Sequence, residues 1–164
     1  MAVSTVIKHF TDGTITLEDG TSGTPVTLTV PFSQGDFSIS GIQESQKAVN
    51  VYQSRGVLHT LRQGEKTFVT GSFSAMLADV SDASAGALLD FIRKTNAYSA
   101  NASTSGSGDV YTIKITLTIE GTDLGDSADH TIVLDDCACT ADVSEGEPDS
   151  ISISFTSYAD PVMT

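Results

Sequence analysis

The sequence has no tryptophan, few basic residues and no long apolar run, and each shortage excludes a class of protein. Without tryptophan and with four tyrosines, it has little of the aromatic surface on which a sugar-binding β-sandwich stacks its ligands. Eight Lys and Arg against twenty-one Asp and Glu give a net charge of −13, which opposes nucleic-acid binding because that binding needs cations to neutralise phosphates. No apolar run approaches the roughly 20 residues of a membrane span, and Lys8 and His9 interrupt the apolar stretch near Met1. We therefore predict neither a membrane segment nor a signal peptide.

Patterns for catalysis and metal binding are also missing. The stretch GSFS at 71–74 lacks the G-x-S-x-G spacing of a nucleophile elbow, and the glycines at 106–108 precede a predicted strand rather than a helix that could bind phosphate. The three histidines are scattered, whereas zinc needs clustered ligands. Cys137 and Cys139 lie in an extended segment with poor geometry for bridging each other, so free thiols are expected. The sequence predicts no catalytic site, no metal site and no cofactor.

What is present favours β structure. Ser and Thr make up about a quarter of the residues, and Thr prefers pleated, half-buried surfaces. Apolar and polar residues alternate through 110–120 and again through 150–156, which is the period of a strand with one buried face. Further strands are predicted at 14–17, 26–30, 37–40, 46–53, 57–62 and 67–77. We predict one domain, 1–164, with a mainly β fold: an antiparallel β-sandwich or barrel.

Three local features are expected to mark this domain. A long hairpin is predicted around 43–66, with Ser54-Arg55-Gly56 as a three-residue connection and a further turn at Gln63-Gly64-Glu65. One flanking α-helix is predicted at about 82–94, capped by Ser81 or Asp82, because apolar residues recur there at helical spacing. The low-complexity segment 99–108 is predicted to be a flexible loop.

Two surface features bear on function. The hairpin mixes aromatic, apolar and arginine side chains, a composition enriched at protein contacts, and this predicts inter-subunit contacts at Tyr52, Arg55, Leu58, His59 and Arg62. A sandwich sheet with one wet face is the alternative interpretation of this polar segment. Eleven acidic residues follow Lys114, the last basic residue. They form either a solubilising surface or a wall that faces an anionic partner.

Several stretches resemble the tail tube proteins of long-tailed (siphovirus-like) bacteriophages. They are GDFSISG at 35–41, the Arg55-Gly56 turn, GSFSA at 71–75 and LLDFI at 88–92. The resemblance implies a β-sandwich with a flanking helix, hexameric rings of this chain, and rings stacked into a hollow tube. It further implies a place in the virion, synthesis in the host bacterial cytoplasm, and tape measure, tail terminator and distal tail proteins as partners.

In such a tube, DNA would pass from capsid to host without specific binding. A channel wall of carboxylates would then repel phosphates, and Glu44 and Glu65 are the predicted lumen-facing charges, with the acidic C-terminal third as the competing choice. Two alternatives stay open: a tail terminator or distal tail protein with a related β fold, and a soluble carbohydrate-binding β-sandwich.

Overall fold

The computed structural model describes residues 13–30, 36–42, 47–78, 80–82, 86–106, 108–122, 125 and 127–164. The strands are β1 (Gly13–Glu18), β2 (Thr27–Val30), β3 (Ser38–Ser40), β4 (Lys47–Ser54), β5 (Val57–Lys66), β6 (Val69–Met76), β7 (Ile113–Ile119), β8 (His130–Ser144), β9 (Ser150–Ser157) and β10 (Val162–Met163). A short helix, α1 (Leu88–Arg93), precedes β7. The mainly β, antiparallel, sandwich-like fold predicted from the sequence is confirmed.

Strand β8 joins the two halves of the main sheet, whose strand order is β2-β1-β7-β8-β9-β6-β3. Its first part pairs with β7 as far as Cys137, and its second part pairs with β9 from Cys137 to Ser144. Between them lies a bulge in which Asp136 adopts a left-handed φ of 50°. A bulge bends the strand that contains it, so β8 can belong to both halves of the sandwich.

One apolar core lies between the two halves. The inward residues of β7, predicted from their alternation, are all buried, as are Ile151, Ile153 and Phe155 of β9. They pack with Ile15 and Leu17 of β1 into a single cluster. Because each of these strands turns every second side chain inward, its other face is left to polar residues.

The helix is shorter than predicted. It begins at Leu88 with Ala87 as its N-cap, and residues 83–85 lie outside the described part of the chain. Gly86 has a φ of 75°, which is not helical, and a side chain there would meet the Tyr98 ring at 2.5 Å. Ser81 and Asp82 therefore do not cap the helix.

The predicted hairpin exists, but its boundaries differ from the prediction. Arg55 and Gly56, with φ values of 52° and 80°, form a two-residue turn that joins Ser54 directly to Val57. Positive φ at both central residues is the type I′ arrangement, whose twist matches that of the flanking strands. The turn predicted at Gln63-Gly64-Glu65 is wrong, because β5 continues to Lys66 across a register irregularity opposite Ala48.

Other connections are held by polar side chains. In the segment predicted to be a flexible loop, Ser103 and Thr104 form hydrogen bonds with the Thr112 hydroxyl at 2.8 and 3.0 Å. Its flexibility stays a prediction.

Among the described residues, no helix is long and apolar enough to cross a membrane.

Candidate assembly surfaces

Strands β3, β6, β9 and the second part of β8 form a four-stranded half-sheet whose outer face is covered by hydroxyl groups. The register places fourteen side chains on this face, and eleven of them are Ser or Thr. They are Ser38, Ser40, Thr70, Ser72, Ser74, Met76, Ala138, Thr140, Asp142, Ser144, Ser150, Ser152, Ser154 and Thr156. Asp142 is the one carboxylate among them, and there is no Lys or Arg. We call this surface the hydroxyl face.

The hydroxyl face is concave at its centre. Residues of all four strands, including Ser40, Ser72, Thr140 and Ser154, line an open depression of about 460 Å³. Gly71 lies at the middle of this half-sheet, where a Cβ would collide with the Phe155 ring and with the Ser38 carbonyl oxygen. The close approach of β3 and Phe155 to β6 therefore depends on the missing side chain.

Within the described part of the chain, both edges of this half-sheet lack a neighbouring strand. Among the described residues, strand β3 pairs with β6 alone. The outer edge of residues 138–144 in β8 likewise has no backbone partner among them, because β7 ends its pairing at Cys137. An unpaired edge presents a row of N–H and C=O groups that can accept a strand from another chain.

The β4–β5 hairpin is a separate two-stranded sheet with two chemically different faces. On one face, Val49, Val51, Leu58 and Leu61 are 54% to 62% exposed. Side chains that oppose each other across a ladder share a face, so Asn50 and Arg62 lie together on the other face with Tyr52 and Thr60. A two-stranded ribbon with both faces in water is marginally stable at best, and exposed apolar surface of this kind is typical of interaction sites.

The structure places the five predicted contact residues at four different positions. Leu58 belongs to the apolar face, Arg55 forms the turn, and Tyr52 and Arg62 lie on the polar face, while His59 lies in the register irregularity between Leu58 and Thr60. Sequence reasoning missed three members of the apolar face: Val49, Val51 and Leu61. The alternation of valine with polar residues in β4 was the signal that could have identified two of them. Of the predicted lumen charges, Glu65 is exposed on β5, whereas Glu44 lies outside the described residues.

Carboxylates with shifted pKa values act as structural clamps. Burial alone would raise the pKa of Asp19. Its carboxylate, however, accepts hydrogen bonds from the Thr21 hydroxyl and from the backbone N–H groups of Val26 and Ala102, the latter two at 2.7 and 3.0 Å. Together these hydrogen bonds outweigh the effect of burial and lower the pKa of Asp19. Similarly, the Thr95 hydroxyl, 2.7 Å from Asp90, lowers the pKa of that carboxyl. Each carboxylate ties together distant segments.

The described residues form no reactive cluster beside these clamps. Burial raises the pKa of Cys137 to about 12 and also raises that of Cys139, so both free thiols are poor nucleophiles. Within the described residues, no group of three or more His, Cys, Asp or Glu side chains could hold a metal ion. The surfaces with a clear chemical character are thus the hydroxyl face, the two open edges and the hairpin.

No protein-family model and no curated protein matches the chain, but solved structures share its fold. A chain of the sheath-tube complex of an extracellular contractile injection system (PVC), in its extended state, matches with a TM-score of 0.58 at 12% identity over 99% of both chains. A chain of the PVC sheath/tube terminator matches with a TM-score of 0.55 at 13% identity, covering 93% of this chain and 92% of that one. The chain has the fold of these injection-system structures.

The tube-terminating cap of the anti-feeding prophage (AFP) provides a third match. Its chain has a TM-score of 0.56 at 12% identity, and the match covers 100% of this chain and 94% of that one. Because nearly the whole of each chain is included, the likeness extends over the entire domain. The phage-tail type of fold expected from the sequence is thus present, while an assignment to long-tailed phages in particular stays a prediction.

Proposed function

We propose that this protein is a structural subunit of a phage-type tail, and specifically a tail tube subunit with no enzymatic activity. Copies would close into hexameric rings, and rings would stack into a hollow tube that conducts DNA during ejection. The observation that carries the proposal is the four-stranded half-sheet with two open edges and one hydroxyl face. The fold shared with tube and terminator structures supports it.

Ring closure follows from the open edges. When the outer edge of residues 138–144 in one copy pairs with β3 of the next, the half-sheets form one continuous barrel without edges. A hexameric barrel with four strands from each copy, spaced about 4.8 Å apart, would have a diameter of roughly 37 Å before strand tilt. That width admits duplex DNA.

The hydroxyl face would line the channel of this ring. The second half of the sandwich and α1 lie on the opposite, apolar side of the half-sheet, and their bulk fits only outside the barrel. The short Ser and Thr side chains stay hydrated and carry no cation that could hold a phosphate. Asp142 would contribute one carboxylate per copy, which repels DNA over a Debye length of about 8 Å.

In this tube, Glu44 and Glu65, which the sequence predicts to face the lumen, would contribute less to the channel wall than the hydroxyl face does. Glu65 lies on the hairpin rather than on the hydroxyl face, so it would act near a channel opening, and Glu44 remains a proposal from the sequence. The tape measure, terminator and distal tail proteins are the proposed partners at the tube ends.

Cysteine cross-linking tests ring closure directly. Ser40→Cys on β3, combined with Thr140→Cys or Asp142→Cys on β8, should give a ladder of disulfide-linked species that ends at a closed ring under mild oxidation. The side chains of a cross-strand pair lie close enough for a disulfide after small adjustment. Each single variant, and Ser40→Cys with Thr116→Cys on internal strand β7, should give no ladder. A ladder from the β7 combination alone would place the subunit contact elsewhere.

A tail terminator is the second candidate, because a sheath/tube terminator and a tube-terminating cap are among the structures that share the fold. A terminator stops growth after one ring, whereas a tube subunit adds rings without limit. Negative-stain electron microscopy of the concentrated protein separates them: open-ended hollow filaments favour the tube subunit, and isolated rings favour the terminator.

A further inference from the structure

Among the described residues, no strand of the main sheet pairs with the β4–β5 hairpin. Strands β4 and β5 pair with each other in a sheet of their own, whereas β6, which follows β5, belongs to the main sheet. Only Thr67 and Phe68 separate β5 from β6. Backbone pairing therefore holds the two strands of the hairpin together, and it leaves the angle between the hairpin and the domain to contacts at the hairpin base.

Two side-chain contacts join this base to the segment between β9 and β10. The Lys66 Nζ lies 2.5 Å from Oδ1 of Asp160, and the two side chains are 36% and 42% exposed. The Phe68 and Tyr158 rings meet edge to face, with their centroids 4.9 Å apart and their planes at 65°. An exposed ion pair stabilises weakly, and an aromatic pair adds a modest preference for one geometry. We call these two contacts the base latch.

The segment that carries the other half of the base latch is anchored to β8. The Tyr158 N–H donates to the Asp136 carbonyl oxygen at 3.3 Å. Farther along the chain, β10 pairs with β8, and Thr164 exchanges backbone hydrogen bonds with Thr131 at 2.9 and 3.1 Å. Because this segment is attached to β8 on both sides of Asp160, it cannot follow the hairpin. A swing of the hairpin therefore breaks the base latch.

The Tyr158 ring has a second position available beside the one it occupies. The residue is 49% exposed and forms one wall of an open hollow of about 230 Å³. The other walls of this hollow are Ser105, Val110, Thr112 and Asp136. A cavity of roughly 150 Å³ is enough to hold a benzene ring, and rotation between staggered χ1 positions moves an aromatic ring by several ångströms. A Tyr158 ring that enters the hollow no longer packs against Phe68.

We propose that Tyr158 is a two-position latch that sets the orientation of the hairpin. In the latched state its ring packs against Phe68, and Lys66 pairs with Asp160. In the released state the ring occupies the hollow, the ion pair separates, and the hairpin swings about Thr67 and Phe68. The device goes beyond the proposed tube function, because it operates within a single copy. It decides whether a partner meets a hairpin that is already oriented, which lowers the ordering cost of binding.

The distance between two spin labels measures the orientation of the hairpin. One label is placed at Gln53→Cys near the hairpin tip and the other at Ser144→Cys on β8, because both positions are exposed. Burial raises the pKa of Cys137 and of Cys139, so these native thiols should stay unlabelled. Pulsed electron paramagnetic resonance at a low protein concentration, at which the subunit is monomeric, gives the distance distribution. Latched hairpins contribute a narrow peak and released hairpins a broad one.

Variants that weaken and strengthen the latch should shift this distribution in opposite directions. Tyr158→Leu with Asp160→Asn should raise the ratio of released to latched hairpins about tenfold, because it removes a ring contact and an exposed ion pair. Val110→Phe fills the hollow at a half-exposed position and should remove most of the broad component. Two controls should leave the distribution unchanged: Val26→Phe adds the same bulk elsewhere, and Glu147→Gln removes an exposed carboxylate elsewhere.

Salt separates the two contacts of the base latch. Raising the ionic strength from about 0.1 to 1 M shortens the Debye length from about 10 to 3 Å. The released fraction should therefore rise with salt in the wild type and stay constant in Asp160→Asn alone. Far-UV circular dichroism checks the fold of every variant, and Asp160→Asn, at an exposed site, keeps the test decisive if Tyr158→Leu fails to fold.

Three results would overturn the latch. The first is one and the same distance distribution in the wild type, the weakened variant and Val110→Phe. The second is a larger released fraction in Val110→Phe, because the hollow would then not receive the Tyr158 ring. The third is a wild-type hairpin that is already released in most molecules. None of these results bears on ring closure, which the cysteine ladder measures separately.

Discussion

A methyl group added at Gly71 should weaken both the fold and ring formation. Its Cβ would lie 2.4 Å from Cζ of Phe155 and 2.5 Å from the carbonyl oxygen of Ser38. The phenyl ring can tilt, but the carbonyl belongs to the backbone of β3, so this strand must move. Overpacking of this kind costs about 1–3 kcal/mol. At about 2–4 °C per kcal/mol for a domain of this size, Gly71→Ala should lower the Tm by roughly 2–12 °C.

The effect on assembly should exceed the effect on stability. Strand β3 has three residues and pairs with β6 alone in the described part of the chain, so displacing it removes one of the two edges needed for the proposed ring closure. Thermal unfolding followed by circular dichroism gives the Tm at low protein concentration, and the cysteine ladder measures rings. Gly108→Ala is the matched control, because a Cβ there meets open space and the Tm should stay constant or rise slightly. A Gly71→Ala protein with the wild-type Tm and normal rings would refute the reasoning.

Three further predictions concern the thiols, a clamp and the hairpin. Because burial raises the pKa of Cys137 and Cys139, neither thiol should react with iodoacetamide at pH 8 until urea unfolds the sheet. Labelling is measured by mass spectrometry, and rapid labelling of the folded protein would contradict the burial of these thiols. Asp19→Ala leaves two backbone N–H groups without their acceptor and should cost about 1–3 kcal/mol of unfolding free energy in urea. The folded-state pKa of Asp19 is lowered, so its contribution to the free energy of unfolding is complete above the unfolded value of 3.8. This contribution disappears as the pH falls through the lower folded-state pKa. The unfolding free energies of wild type and variant should therefore converge in acid. Replacing residues 47–66 by a short Gly-Ser linker should leave a folded monomer with little change in Tm that forms no tubes; loss of folding would place the hairpin in the core.

Strand existence could be predicted where the alternation is regular. In β7 and β9 every second residue is apolar, and this local pattern survives folding because a pleated strand turns alternate side chains to opposite faces. For strand β8, the sequence indicated an extended segment only around Cys137 and Cys139. Its inward residues Leu134 and Cys137 are three positions apart, since the bulge at Asp136 inserts an extra residue and breaks the period.

The helix shows a different reason for error. Its apolar spacing extends upstream of Leu88, and Ser81 and Asp82 have side chains typical of caps. In the structure, the Asp82 N–H and the Ser81 hydroxyl instead donate to the buried carboxylate of Asp90. A tertiary contact across eight or nine residues therefore replaced a local one, and no helical pattern could have revealed it.

The sequence by itself determined the β class, the hairpin and the composition of each strand face, because these depend on neighbours a few residues apart. Only the tertiary structure decided which strands lie side by side, since pairing β3 with β6 and β6 with β9 joins segments far apart in the chain. From that order come the continuous hydroxyl face and its two open edges. Periodicity assigns a residue to one face of its strand, but the neighbouring strands decide what that face becomes.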